Sequence, residues 1–215
     1  MNVIIMGPPG CGKGTQAATI IDLLGVVHIS TGDMLRAAVG SGSELGHRVQ
    51  DVMNRGELVS DDLMMEIIRD RLQQDDARER GWLLDGFPRT LPQADGLMEL
   101  LEKIDQSVGA VISLEVPDEE IVRRLSGRLT CRSCGFVTHR DAVDPARPEL
   151  CPRCGEPGLY QREDDTEATV RNRLQVYRTK TYPAAARLGE KYPLHRIDGT
   201  GAPQDVSQRI RTVLA

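Results

Sequence analysis

The sequence predicts an α/β chain built on a five-stranded parallel sheet, with a phosphate-binding loop behind the first strand and two inserted segments. Three observations predict it. Short apolar runs recur between helix-forming stretches, at Val3 to Met6, Val26 to Ile29, Trp82 to Leu84, Ala110 to Leu114 and Leu194 to Ile197, as strands buried on both faces of a parallel sheet do. A glycine-rich loop carrying a lysine follows the first run directly. Two regions, near residues 30–60 and 127–165, are too long and too unusual in composition to be simple crossovers.

At 215 residues the chain can bury one sizeable core, which favours one α/β unit with insertions over several domains. Hydrophobic residues at 40% and charged residues at 27% are ordinary for a globular protein. Aromatics at 3% leave too few stacking platforms for a single-strand nucleic-acid binder, and a formal charge of −5 argues against a general polyanion surface. A local cluster of arginines inside a cleft is still compatible with that total. The opening MNVIIMGPPG lacks the basic and long apolar stretches of a signal peptide, and no run approaches the roughly 18 apolar residues of a membrane span. A cytoplasmic location without a membrane partner is the expectation.

After the first strand, Gly7-Pro8-Pro9-Gly10-Cys11-Gly12-Lys13-Gly14-Thr15 leads into a helix through Gln16-Ala17-Ala18. Glycines allow backbone N–H groups to converge on phosphate oxygens, and the helix N-terminus adds its positive dipole. Lys13 supplies a mobile positive charge. A strict P-loop places Ser or Thr directly after the lysine, whereas here Gly14 stands there and Thr15 one later. Cys11 reads as a small residue tolerated by the loop.

The first long region, Ser30 to Val59, mixes glycines with helix-like pieces such as Met34 to Val39 and reads as a small helical insertion. The second carries Pro145, Pro148, Pro152 and Pro157 and few apolar residues, so hydrophobic burial cannot hold it together. It also carries Cys131 and Cys134, sixteen intervening residues, then Cys151 and Cys154. Paired CxxC units at this spacing suit a tetrahedral Zn²⁺ held by four thiolates, a closed structural site with no position left for water. In a chain without an export signal, metal is favoured over disulfides. His139 nearby reads as an ordinary residue of the segment.

The P-loop ending GKGTQ, the stretch Ser30-Thr31-Gly32-Asp33-Met34-Leu35-Arg36, and Asp85-Gly86-Phe87-Pro88-Arg89-Thr90-Leu91-Pro92-Gln93-Ala94 together resemble the adenylate kinases. Gly14 after the lysine is that family's usual form, and the resemblance runs from Met1 to about Arg211. It implies the P-loop nucleoside monophosphate kinase fold, Mg²⁺-dependent phosphoryl transfer between ATP and AMP to give ADP, and a monomer. It also implies a division into a core of residues 1–29, 60–126 and 166–215, an AMP-binding insertion of 30–59, and a zinc-bearing lid of 127–165.

Residue roles implied by the resemblance follow motif by motif. Gly10, Cys11, Gly12, Lys13, Gly14 and Thr15 hold the ATP phosphates. Arg124 and Arg128 cover the adenine and reach the phosphates, Val137 and Thr138 touch the ATP base, and Gly201 offers a backbone carbonyl. Thr31, Arg36, Glu57, Leu58, Val59, Gly86, Phe87, Pro88, Arg89 and Gln93 form the AMP site, with Arg36 and Arg89 on the α-phosphate and the Gln93 amide on an adenine edge. Arg162 and Arg173 match two arginines that swing in when the lid closes, and the resemblance counts both with the AMP site. Asp85 orients water around Mg²⁺. Lys13, Arg36, Arg89, Arg128, Arg162 and Arg173 are thus the groups that carry the chemistry.

Two departures stand out: Ser60 where relatives often have proline, and Leu129 in place of the second arginine of a common GlyArgArg. The first softens the exit from the insertion and the second removes one lid charge. Two alternatives are set against this reading. A kinase acting on UMP, CMP or GMP is disfavoured by Thr31 and Gln93, where the UMP/CMP kinases usually carry alanine and asparagine. A zinc-knuckle nucleic-acid binder is disfavoured by the charge and the scarcity of aromatics.

Overall fold

A computed structural model describes all residues, 1–215. In chain order the elements are β1 (Val3–Met6), α1 (Lys13–Leu24), β2 (Val27–Ser30), α2 (Thr31–Gly40), α3 (Glu44–Asn54), α4 (Asp61–Leu72), α5 (Asp75–Arg80), β3 (Trp82–Asp85), α6 (Leu91–Lys103) and β4 (Ala110–Glu115). Then follow α7 (Asp118–Ser126), β5 (Arg128–Cys131), β6 (Val137–His139), β7 (Leu159–Tyr160), α8 (Glu167–Val176), α9 (Tyr182–Gly189), β8 (Leu194–Asp198) and α10 (Pro203–Leu214). No helix is long and apolar enough to cross a membrane.

Strands β2-β3-β1-β4-β8 form one parallel sheet in that order, each pair in register, as in Ile4 opposite Leu84 and Ile5 opposite Ile112. The five apolar runs read from the sequence are these strands, shifted by no more than a residue at either end. Alternation along β1 feeds two separate cores: Ile4 and Met6 pack with Trp82, Leu97 and Leu188 on one face, while Val3 and Ile5 pack with Ile20, Leu125 and Ile210 on the other. All four β1 residues are buried, which is why the run carries no polar member.

Parallel strands all end on one edge, and the chain reverses its spatial order beside β1, leaving β2 and β3 to one side and β4 and β8 to the other. Sheets of this kind bind ligands in the crevice at that edge. The glycine loop after β1 and the Gly86–Arg89 loop after β3 both emerge there.

The segment 30–60 holds α2 and α3, which pack on each other with Gly46 against the backbone of Ala38 and Val39, and which are capped by Ser30 Oγ accepting the Asp33 N–H and Ser43 Oγ accepting the Gly46 N–H. The segment 127–165 contains a second, antiparallel sheet ordered β6-β5-β7, which the sequence did not reveal. Between α8 and α9 lies a π-helical turn, Tyr177–Thr181, also unforeseen.

Candidate active site

The P-loop wraps the start of α1. Gly12 caps that helix with no side-chain bond, so its first N–H groups are open to an anion. Lys13 Nζ donates to the carbonyls of Gly7 and Pro8 at 2.8 and 2.9 Å, which holds the ammonium against the loop. Gly10, at φ 77°, sits where an added Cβ would lie 2.7 Å from Leu125, so this backbone packs directly on α7. Cys11 is buried beneath the loop, where desolvation raises its thiol pKa despite Lys13 nearby. It lines the cavity, and its carbonyl accepts from Arg124 at 3.4 Å. Arg124 also donates to the Gly199 carbonyl at 3.1 Å and to Glu120 at 2.7 Å, which joins the P-loop, α7 and the loop after β8.

Across the crevice, Thr31 Oγ1 donates to the Gly86 carbonyl at 2.9 Å, and Arg89 Nε donates to that carbonyl at 2.7 Å. Gly86 has φ 84°, and a Cβ there would meet Thr31 Oγ1 at 2.7 Å. The Phe87–Pro88 peptide is cis. Arg36 pairs with Asp33 at 2.5 Å, and Glu57 pairs with Arg55 at 3.0 Å. The Gln93 amide accepts from the Arg89 N–H and donates to Asp61 Oδ1, both at 2.7 Å. Its contacts within the chain are therefore more extensive than a free amide awaiting a base.

The remaining arginines are Arg128 in β5, Arg162 just after β7, and Arg173 in α8. Arg128 makes a two-bond fork on the buried Asp165, at 2.5 and 2.7 Å. Arg173 donates to Asp164 Oδ2 at 2.7 Å, and Arg162 donates to Thr130 Oγ1 at 3.1 Å. Burial, with Arg173 and Arg36 close by, pushes Arg89 down to about 10, and burial with Arg128 and Arg36 pushes Arg162 down to about 10. Arg173 is lowered by burial and by Arg128 as well. These guanidinium groups stay charged at neutral pH and crowd one another, so an anion among them relieves both desolvation and repulsion.

One cavity of about 1060 Å³ is lined by the P-loop, by Lys13 and by Arg36, Arg89, Arg124, Arg128, Arg162 and Arg173. Gly10 to Thr15, Arg124, Arg128, Val137, Thr138 and Gly201 line it, as do Thr31, Arg36, Glu57 to Val59, Asp85 to Arg89, Gln93, Arg162 and Arg173. Every site residue expected from the sequence, the four paired cysteines apart, is brought to this one space.

An adenylate kinase family model matches residues 5–190. An adenylate kinase of Trichlorobacter lovleyi is 50% identical over 214 residues, covering 100% of this chain and 99% of its own. Those of Archaeoglobus fulgidus and Methanosarcina barkeri are 46% and 45% identical over 214 residues, each covering 100% of this chain and 98% of its own. This chain belongs to the adenylate kinase family.

In this family member the four paired cysteines lie outside the cavity. Their sulfurs are all within 4.8 Å of one another, with Cys131 to Cys154 and Cys134 to Cys151 both at 3.7 Å. A tetrahedral metal with bonds to sulfur of about 2.3 Å puts its sulfurs about 3.8 Å apart, whereas a disulfide holds them at about 2.05 Å. The two turns repeat each other: Gly135 N–H bonds Cys131 O and Gly155 N–H bonds Cys151 O, while Cys131 N–H bonds Phe136 O and Cys151 N–H bonds Glu156 O. The backbone N–H groups of Cys134 and Ser133 lower the Cys131 thiol, whereas burial and the neighbouring sulfurs raise that of Cys154.

Two contacts of the site have no signal in the sequence. Thr181, buried at the end of the π-helical turn, donates to the Arg89 carbonyl at 2.9 Å, and Asp61, at the start of α4, receives Gln93 and Thr90. Neither carries a motif, and a lone Thr or Asp at a helix end reads as a cap. The departures at Ser60 and Leu129 fall outside the charged cluster: Ser60 precedes α4 with φ −56°, and Leu129 pairs with Thr138 in the small sheet.

Proposed function

We infer that this chain catalyses the reversible reaction ATP + AMP = 2 ADP. The observation that carries this reading is the convergence of Lys13 and five arginines, from both sides of the crevice, on one cavity lined by a P-loop and by the Gly86–Arg89 loop. Two anionic nucleotides held end to end are the substrates that such an arrangement fits.

The reaction needs no nucleophilic side chain. An oxygen of the AMP α-phosphate attacks the γ-phosphorus of ATP, a new P–O bond forms, and the bond from that phosphorus to the β–γ bridging oxygen breaks. ADP leaves from the donor side, and the acceptor has become ADP. The protein positions the two phosphates in line and spreads positive charge around the group in flight.

In our reading the P-loop N–H groups of Gly10 to Thr15 and Lys13 hold the donor phosphates. Arg36 and Arg89 orient the acceptor phosphate, and Arg128, Arg162 and Arg173 close on the transferring group. Arg124, Val137, Thr138 and Gly201 seat the donor base. Thr31, Glu57, Leu58, Val59, Gly86 to Pro88 and Gln93 seat the acceptor nucleoside. Arg128 and Arg173 are paired with Asp165 and Asp164, so phosphate would compete with carboxylates for them as the site closes.

Asp85, a carboxylate with 8% of its surface exposed to the cavity, suits a hard divalent cation, and Mg²⁺ bound with ATP would be held there through water and neutralise phosphate charge. Cys131, Cys134, Cys151 and Cys154 suit Zn²⁺, which would order the lid without entering the chemistry. The core of 1–29, 60–126 and 166–215, the insertion of 30–59 and the lid of 127–165 are the moving parts of this proposal. A monomer in the cytoplasm, binding neither nucleic acid nor membrane, completes it, supported by the family likeness and the net charge of −5.

ATP labelled at its γ-phosphorus tests the step. The label should appear in ADP formed from AMP, with none on the protein after a rapid acid quench. A labelled, kinetically competent phosphoenzyme would overturn direct transfer.

A further inference from the structure

The side-chain amide of Gln93 is gripped at both ends: Oε1 accepts the Arg89 backbone N–H, and Nε2 donates to Asp61 Oδ1, each at 2.7 Å. The two ends of an amide have nearly the same shape, so the chemistry of the partners decides its orientation. A backbone N–H only donates, and an ionised carboxylate only accepts. One orientation satisfies both contacts; the reverse sets donor against donor at Arg89 and acceptor against acceptor at Asp61. The same Asp61 oxygen takes the Thr90 hydroxyl at 2.9 Å, and that hydroxyl accepts the Gln93 N–H at 3.2 Å. The carboxylate is thus held by the segment that it orients.

We propose that Asp61 is a positioning residue that sets the choice of acceptor base, by fixing the polarity of the Gln93 amide for adenine and against guanine. The proposal rests on the reading of Gln93 as facing the acceptor base. Gln93 is buried from bulk solvent yet lines the cavity. With one N–H and one lone pair engaged, its amide keeps one of each. Adenine offers their complement, an exocyclic N–H donor beside a ring-nitrogen acceptor. Guanine presents O6 with either N7 or N1–H. The first pair sets oxygen against the amide oxygen, and the second needs the amide reversed. A polar site left unpaired by the wrong ligand rejects it.

The test is the ratio of kcat/KM for AMP to that for GMP at saturating ATP, with melting temperature measured alongside. Asp61→Ala removes the acceptor, and the ratio should fall about tenfold or more, the equivalent of one lost buried hydrogen bond. Asp61→Asn keeps an oxygen at the same reach and should restore the ratio to near the wild-type value. Asp61→Ser, too short to reach Gln93, should behave as alanine does and serves if the alanine variant does not fold. A purely structural Asp61 would slow both acceptors alike and lower the melting temperature with the ratio unchanged, which overturns the proposal. Gln93→Met separates the two layers. If it leaves KM for AMP and the ratio unchanged, the assignment of Gln93 to the base fails. If it abolishes the preference while Asp61→Ala retains it, the role of Asp61 alone fails.

Discussion

Gly86→Ala perturbs the acceptor side in a way the structure makes quantitative. Gly86 sits at φ 84°, a left-handed conformation that costs an L-residue about 1–2 kcal/mol. The new Cβ would stand 2.7 Å from Thr31 Oγ1, so the buried threonine must turn away and surrender its bond to the Gly86 carbonyl, about 0.5–1.5 kcal/mol more. The sum is about 1.5–3.5 kcal/mol, and at about 2–4 °C per kcal/mol for a chain of this size the melting temperature should fall by about 3–14 °C. Arg89, whose Nη2 would lie 3.0 Å from the Cβ, shifts as well, so KM for AMP should rise while KM for ATP changes little. Gly25→Ala is the control, because Gly25 has φ 67° with nothing within 4 Å of its added Cβ and lies at the far end of α1. It should show the strain alone, a smaller loss of stability with both KM values intact. Scanning calorimetry and steady-state kinetics read both effects. A Gly86→Ala protein that melts with the wild type and keeps its KM for AMP would refute the reasoning.

Three further outcomes are expected. Arg89→Ala should lower kcat/KM for AMP by about 10²–10³ while the fold survives, and Lys13→Met should collapse turnover likewise; near-normal kinetics in either variant removes that residue from the mechanism. Replacing Cys131 and Cys134 by serine should abolish zinc content, lower the melting temperature and speed hydrogen exchange across residues 127–165, with some activity left at low temperature. Metal analysis of the wild type, together with activity of that variant, decides this; a metal-free variant that melts normally but is inactive would place the metal in the chemistry. Ser60→Pro should stabilise by about 0.4–1 kcal/mol in denaturant melts, because φ is already −56° and the Ser60 N–H has no backbone partner.

What could be read from the chain and what could not follows from how local each cause is. The parallel strands were legible because burial on both faces leaves no polar member to disguise a run such as Val3–Met6. The cysteine cluster was legible because two tight turns are written in the spacing itself. The antiparallel sheet of the lid was not: Arg128–Cys131, Val137–His139 and Leu159–Tyr160 run for only four, three and two residues, too short for an alternation to stand out. Motif register brought the cavity-lining residues into view, but not the side chains behind them. Asp61 reaches Gln93 across thirty-two residues and Thr181 reaches Arg89 across ninety-two, and such pairings exist only once the sheet has placed α4, α6 and the π-helical turn together. The fork of Arg128 on Asp165 was hidden for the same reason, and it makes the resting charge of the lid lower than its arginines alone imply.

The central claim is that one cavity joins an ATP site to an AMP site for direct transfer between them, and its most direct test is initial-rate ADP formation at fixed Mg-ATP against a panel of AMP, GMP, UMP and CMP. The account predicts rapid ADP formation with AMP, at two ADP per ATP consumed, and kcat/KM lower for every other acceptor. Turnover independent of AMP, or a preference for any other acceptor base, would contradict it.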